Sequence, residues 1–385
     1  MPVDAAMRVA HVSFFVDPAG RAPAALLDAW PTLANLAPAI STDNVVVTVV
    51  QAASADALIE RDGVQFQFVR ERRPSALQRR LGFWSSPLTG RVGRRLVDLS
   101  PDIIHIHSLS FPRHVRQVRA ALPDTRIIVQ DHADQPIAGW RRNVVRASLD
   151  GIDAASFTAA VQAKPFLAAG VLNERARIFE VPESSSMFTP GDQAAARSVT
   201  GLHGDPCVLW LGHLDENKDP LVALDAIRIA ASFLPDIRLW MAWLEAPLLD
   251  VVRQCVQRDA VLRERVMLLG PQPHSRVQTM LRAADLLIQA SHNEGSGYAV
   301  IEAIACGTAP VVTDIPSFRV LTGEGGAGGL SPIGDAAAMA ASLGQWAAVP
   351  AADRRARVRD HFERNLSFHA IGARWRAIYQ DVLAG

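Results

Sequence analysis

Three observations predict two consecutive doubly wound α/β domains. Short β-rich apolar runs alternate with longer amphipathic stretches, as in parallel sheets joined by helical crossovers. The alternation halts at the proline- and serine-marked stretch VPESSSMFTPGD, Val181 to Asp192, and then restarts. A chain of 385 residues also exceeds what one hydrophobic core ordinarily organises.

In the first half, MRVAHVSFFV (Met7 to Val16), NVVVTVV (Asn44 to Val50), DIIHIHS (Asp102 to Ser108) and RIIVQDH (Arg126 to His132) read as strands. Alanine- and leucine-rich segments such as APAALLDAWPTLANLA read as the helices between them. In the second half the strands are CVLWLGH (Cys207 to His213), IRLWMAW (Ile237 to Trp243), VMLLG (Val266 to Gly270), DLLIQAS (Asp285 to Ser291) and APVVTD (Ala309 to Asp314). The boundary falls near residues 183–205, giving domains at 1–190 and 200–365. Residues 366–385 read as a helix, with Ile371, Trp375, Ile378 and Val382 at helical spacing.

Composition excludes several classes. No stretch approaches the roughly 20 apolar residues of a membrane span, and the start lacks the features of a signal peptide, so a cytoplasmic protein is expected. Cys207, Cys255 and Cys306 have neither metal-ligand spacing nor an even count, which suits a reducing compartment. A formal net charge of zero argues against a general nucleic-acid binder. Charge is nevertheless concentrated between Arg70 and Arg95, where eight arginines face one glutamate around Phe83 and Trp84. Two readings stay open for that segment. It is a solvated loop, or it contacts an anionic membrane surface or lipid-linked acceptor from a peripheral position at the inner face of the membrane.

Open parallel sheets bind ligands beyond the carboxyl ends of their strands. Polar residues just after a strand are therefore the candidates, and SHNEGSGYAVIEAIACG is the richest such stretch. Its glycines permit close backbone approach, and the amides near Gly297 open a helix whose N-terminus suits a phosphate. Glu294 precedes that helix and Glu302 lies two turns further on. As carboxylates they suit neutral hydroxyls rather than the phosphate, so a diphosphate carrying a sugar at each end fits the whole set. A strand-to-helix turn with a dipole-favouring glutamate is the plainer alternative.

Lys218 is one of only two lysines, with Lys164, in an arginine-rich chain, and it follows a strand in DENKDP. That placement suits a site wanting a compact point charge. His105 and His107 share one strand face; His107, nearer the carboxyl end, is the better site candidate, and His105 reads as a satisfied core histidine. His132 ends the next strand, with Asp131 and Asp134 beside it to orient it or to bind acceptor hydroxyls.

The stretch NEGSGYAVIEAIACGTAPVVT resembles the E-x7-E signature of the retaining glycosyltransferases of family 4, which have the GT-B fold. PDIIHIHS, VLWLGHLDENKDPLVALDA, LLGPQPHSRVQTMLRAADLLIQAS and FHAIGARWRAIY resemble further landmarks in the family's order. The resemblance runs from Met7 nearly to the last residue and is more specific in the second half. It implies that Glu302 binds the ribose of a nucleotide sugar and that Glu294 lies beside the donor sugar. It also implies that the amides of Gly295, Ser296 and Gly297 cradle the diphosphate, that Lys218 neutralises it, and that His132 faces the reaction centre. The helix at 366–385 is expected to pack back on the first domain.

Three departures accompany it. His213 stands where the family usually has arginine, and a neutral imidazole brings less charge to the diphosphate. The glycine-rich loop near the N-terminus keeps only Gly20, followed by Arg21. Glu183 to Ser186 replace the usual asparagine-glycine pair.

The implied activity is that of a hexosyltransferase of EC class 2.4. It takes a sugar, with retention of configuration, from a nucleoside-diphosphate donor, UDP- or GDP-linked, to a hydroxyl on a glycan, a lipid-linked or a small-molecule acceptor. The departing diphosphate would be stabilised by fixed cations and helix amides. No metal or other cofactor is expected, since the sequence has no DxD-like pair and no clustered His/Cys set. The rival readings are a non-catalytic nucleotide-sugar-binding scaffold and another GT-B enzyme, such as an epimerase or a phosphorylase.

Overall fold

The computed structural model describes residues 6–72, 75, 77, 90–132, 134, 136 and 149–385. The chain forms two compact units, one of Met1–Ser184 with Phe368–Gly385 and one of Ser185–Ser367.

The first unit is built on an eight-stranded sheet of β1 (Met7–Ser13), β2 (Val45–Ala53), β3 (Ala57–Arg61), β4 (Val64–Arg70), β5 (Ile103–His107), β6 (Arg126–Gln130), β7 (Ala154–Phe157) and β8 (Arg177–Glu180). Its order is β3-β4-β2-β1-β5-β6-β7-β8, parallel except for the β3–β4 hairpin. The four predicted strands form its centre. The hairpin, β7 and the edge strand β8 are additions: β7 and β8 have four residues each, too short to show a period. The predicted helical stretch from Ala22 is two helices, Pro23–Ala29 and Pro31–Ile40, interrupted at Trp30 because Pro31 cannot continue the first.

Alternation along β1 and β5 divides their side chains between two cores. Val9 and Ile103 enter one; Ala10, Val12, Ile104 and Ile106 enter the other. His11, His105 and His107 share the face of Val9 and Ile103. The helix Phe368–Ala384 covers this face, burying Ile371, Trp375, Ile378, Tyr379 and Val382. It packs against Pro31–Ile40 at a contact that requires a glycine: a Cβ on Gly372 would lie 2.2 Å from the Ala39 carbonyl oxygen. Arg376 Nη1 donates to that same carbonyl at 2.7 Å.

The second unit is a six-stranded, wholly parallel sheet of β9 (Cys207–Gly212), β10 (Arg238–Trp243), β11 (Val266–Gly270), β12 (Leu286–Gln289), β13 (Ala309–Thr313) and β14 (Gly329–Ser331), in the order β11-β10-β9-β12-β13-β14. All five predicted strands are present, and three-residue β14 extends the edge. Leu209, Leu287 and Val311 on neighbouring strands are fully buried, each such side chain contributing about 1.5–3 kcal/mol. The chain runs outward from β9 to β11 and then returns to β12, beside β9. The sheet therefore changes direction between β9 and β12, the place where an open α/β sheet presents a crevice.

Among the described residues, no helix is long and apolar enough to cross a membrane. The arginine-rich segment is described only in part: Arg73, Arg79, Arg80, Phe83 and Trp84 lie outside the described residues. Of the remainder, Arg91 pairs with Asp56 at 2.9 Å, and Glu71 accepts from the amides of Arg91 and Val92 at the start of the helix Gly90–Leu99.

Candidate functional site

In the second unit, the loops after β9 and β12 meet at the switch point because their strands are neighbours. They are joined by a reciprocal pair: Asn217 Nδ2 donates to the Asn293 carbonyl at 3.0 Å, and the Asn293 amide donates to Asn217 Oδ1 at 3.1 Å. The His292 amide also donates to the Asn217 carbonyl at 2.8 Å. Asp219, in a left-handed conformation, caps the helix Pro220–Ala230 and binds His292 Nε2 at 2.9 Å. The Lys218 amide donates to Asp215 Oδ1 at 2.8 Å. Fixed in this way, Lys218 Nζ forms an ion pair with Glu294 Oε1, and both side chains are mostly buried. Removing either takes from the other an oppositely charged partner in a mostly buried setting.

Gly297 follows, at φ +63°, as the cap of the helix Tyr298–Cys306. A Cβ there would approach Leu321 Cδ1 to 2.6 Å, so glycine suits the left-handed conformation and a larger residue would have to displace the end of the Leu321 side chain. The half-buried Gly295 and Ser296 complete the loop. His213 follows β9 directly, and its Nδ1 accepts from the Glu245 amide at 3.2 Å, which leaves Nε2 as the nitrogen available to donate. Glu302 accepts from His274 Nε2 at 2.7 Å. Burial raises its pKa, and the His274 hydrogen bond opposes the rise. The structure thus brings Lys218 and Glu294 into direct contact, sets the 295–297 loop beside them in sequence, and places Glu302 further along the same helix.

In the first unit, Asp134 joins the loops after β5 and β6. Its carboxylate accepts from the Ser108 and Ser110 hydroxyls, from the Leu109 amide at 2.7 Å and from the His132 amide at 3.3 Å. With four protein donors on it, Asp134 acts as a loop clamp. Asp131 accepts from the Asp134 amide at 3.0 Å; burial, with Asp134 nearby, pushes its pKa up to about 7. Gly20, at φ +67°, closes a turn anchored by Asp17, whose carboxylate accepts from the amides of Ala19 and Arg21.

His132 has both ring nitrogens engaged, Nδ1 with Glu183 at 2.6 Å and Nε2 with His107 Nδ1 at 3.1 Å. His107 Nε2 in turn meets His11 Nδ1 at 3.1 Å. The fold therefore does cluster histidines, contrary to the expectation from the sequence. His11 and His105 are register partners on adjacent β1 and β5, although 94 residues separate them in the chain. One ring nitrogen from each of His11, His105 and His107 lies within 4.8 Å of the other two, the composition of a metal site. Their ring nitrogens are, however, already hydrogen-bonded to one another, to Tyr379, to Gln130 and to His132.

A cavity of about 570 Å³ near the carboxyl ends of β2 and β4 is lined by Ser54, Arg70, Glu71, Arg72 and Arg91.

Solved structures share this architecture over almost the whole chain. Sucrose-phosphate synthase from Thermosynechococcus elongatus superposes with a TM-score of 0.67 at 18% identity, covering 98% of this chain and 99% of its own. Anabaena Alr3699/HepE, solved in complex with UDP, gives 0.66 at 15% identity, covering 97% and 100%. The fold is GT-B. Within this GT-B chain, residues 192–361, all in the second unit, match the family model for glycosyl transferases group 1. Curated relatives include the D-inositol 3-phosphate glycosyltransferases of Mycolicibacterium gilvum, 35% identical over 196 residues, and of Mycobacteroides abscessus, 30% identical over 205. Those alignments take in 48% and 51% of this chain and only 42% and 43% of the relatives, so the chain spans less than half the length of the relatives it matches.

The sequence reading assigned no site role to His274, the Asn217–Asn293 pair, Gln130 or Tyr379, and named Glu183 only as part of a departure from the family pattern. Glu183 was visible as a charge in an otherwise small and polar stretch, and Gln130 as a polar residue ending an apolar strand. Tyr379 carried no signal, because its partners are distant in sequence.

Proposed function

We propose that the protein is a retaining glycosyltransferase of family 4, moving a sugar from a nucleoside-diphosphate donor to a hydroxyl acceptor without a metal. The observation that carries this reading is the Lys218–Glu294 pair at the switch point, next to the Gly297-capped helix. In it a cation and a carboxylate hold each other in readiness for two different parts of one ligand. An arriving diphosphate takes over Lys218, and the released Glu294 turns to sugar hydroxyls. Amides around Gly295–Gly297 and the positive helix end then meet the charge that grows on the leaving oxygen, so the stabilisation is ready before the bond breaks. Glu302 serves the ribose, and His213 adds an Nε2 donor. The matched family model and the relatives' names support this reaction class.

For the acceptor, the 570 Å³ cavity with Arg70, Arg72 and Arg91 supports an anionic molecule such as a sugar phosphate or a lipid-linked phosphate. Three free cysteines support a reducing, cytoplasmic setting.

Calorimetry against UDP, GDP, ADP and TDP and their sugar conjugates tests the proposal. One nucleotide should bind selectively. Lys218→Ala should weaken it by roughly 10- to 100-fold, the worth of a charge-assisted contact, and Glu302→Ala should weaken it through the ribose. Glu294→Ala should remove most turnover. The double variant of Lys218 and Glu294, which removes both charges of the pair together, controls for stability. Unchanged affinity in the Lys218 and Glu302 variants would put the donor elsewhere.

A further inference from the structure

Seven side chains of the first unit form a closed hydrogen-bonded circuit. Gln130 Nε2 donates to the Glu183 carbonyl at 3.1 Å, and Gln130 Oε1 meets His105 Nε2 at 3.1 Å. His105 Nδ1 meets the Tyr379 hydroxyl at 2.7 Å, which meets His11 Nε2 at 2.9 Å. His11 Nδ1 meets His107 Nε2, His107 Nδ1 meets His132 Nε2, and His132 Nδ1 reaches the Glu183 carboxylate. All of these side chains are buried except that of His132, which is a quarter exposed.

The direction of every bond follows from one residue. The Glu183 carbonyl can only accept, so the Gln130 amide nitrogen must face it and the amide oxygen must face His105. His105 therefore carries its proton on Nε2, and its bare Nδ1 accepts from the Tyr379 hydroxyl. The Tyr379 oxygen then accepts from His11 Nε2–H. A neutral His11 has a bare Nδ1, which accepts from His107 Nε2–H; the bare His107 Nδ1 accepts from His132 Nε2–H. At the last link, His132 Nδ1 faces a carboxylate oxygen, and two lone pairs would oppose each other without a further proton. The circuit is therefore complete only with one proton beyond the neutral set, held between His132 and Glu183. Without Gln130 the chain could run in reverse, with every histidine neutral.

We propose that Gln130, acting through Tyr379 and the three buried histidines, is a positioning residue that keeps His132 protonated on both nitrogens, so that His132 serves as a fixed cation and not as a general base. The part of this concerning catalysis rests on the glycosyltransferase reading; the proton pattern does not. The electrostatics agree with the geometry. Burial lowers the pKa of His11 to about 3 and those of His105 and His107 well below the usual histidine value, so none of the three takes the extra proton. Burial also opposes charge on His132, but the charge and hydrogen bond of Glu183, with Asp134 and Asp131, outweigh it and raise its pKa. The titratable groups facing His132 are Glu183 after β8, Asp131 and Asp134 after β6, and His107 on β5.

NMR of the substrate-free full chain, labelled at histidine nitrogens, separates bare from protonated ring nitrogens. His11, His105 and His107 should all show protonated Nε2 and bare Nδ1 near neutral pH, with both His132 nitrogens protonated. Gln130→Leu and Tyr379→Phe should each lower the His132 titration midpoint by about one pH unit or more. Gln130→Glu should keep the original pattern only while its carboxyl is protonated, its hydroxyl donating to the Glu183 carbonyl and its other oxygen accepting from His105. In turnover assays the alkaline limb should move down with the midpoint. A protonated Nδ1 on His107 or His11 in the unaltered protein, or stoichiometric zinc on these nitrogens, would overturn the proposal without recourse to any variant. So would an unmoved midpoint in both variants. A midpoint that falls while the turnover profile stays put would remove the positioning role; absence of turnover in the unaltered protein would count instead against the glycosyltransferase reading.

Discussion

Asp131 illustrates how far a single side chain can carry the pH response of the fold. Its pKa rises from 3.8 to about 7 because burial and the neighbouring Asp134 disfavour its charge. Between those values the folded protein binds more protons than the unfolded chain, so stability is present at lower pH and is lost as pH rises through the window. At about 1.4 kcal/mol per unit the loss is on the order of 2–4 kcal/mol. Asp131→Asn keeps the oxygen that accepts from the Asp134 amide and cannot ionise. Urea denaturation at several pH values should therefore find the variant gaining on the parent from pH 5 to pH 8; parallel curves would mean that Asp131 does not titrate in this range. Glu302, also raised by burial, contributes in the same direction. At this scale the sequence was most legible where chemistry and position coincide, as at Lys218, Glu294 and Gly297. It was least legible for His132 and Asp134, since neither the hydrogen bonds on His132 nor the four donors on Asp134 can be inferred from local spacing.

At the scale of elements, the glycines at two helix contacts mark where backbone or side chain leaves no room. Gly372→Ala drives a methyl into the Ala39 carbonyl, and overpacking of this kind costs about 1–3 kcal/mol. Gly297→Ala combines a left-handed conformation with the Leu321 contact, with a similar cost. Thermal unfolding should show both losses, but only Gly297→Ala should weaken nucleotide binding in proportion beyond its effect on stability. Equal effects on binding would mean that the helix start at Gly297 has no special place in the site. Central strands were legible because apolar runs between polar ends persist over five or more residues in all but β12, which has four and was legible from the bounded run DLLIQAS. Strands β7, β8 and β14, at three or four residues each, fall below the length at which a period of two is visible.

At the scale of the whole molecule, the first unit is discontinuous in sequence, taking its last helix from the far side of the second. Truncation after Ser367 should strip Trp375 and Tyr379 from the His11–His105 face while leaving the second unit's core intact. Calorimetry of the truncated protein should resolve two transitions, the earlier one accompanied by loss of first-unit structure; a single transition at the parent temperature would show that the helix is dispensable. The two-unit plan was legible in the restart of the strand pattern after Val181. The return of the helix to the first unit was not legible in its own periodicity, because its apolar stripe would fit either core; only the family resemblance implied it. That return also sets an order of events during synthesis. Residues 6–184 leave the ribosome with an uncovered sheet face and an open proton circuit, and at about 5–20 residues per second they wait on the order of ten seconds or more while residues 185–367 are made. The second unit can reach its native state first, so the half made earliest is the half completed last, and in that interval a chaperone or a nascent neighbour meets the exposed histidine face.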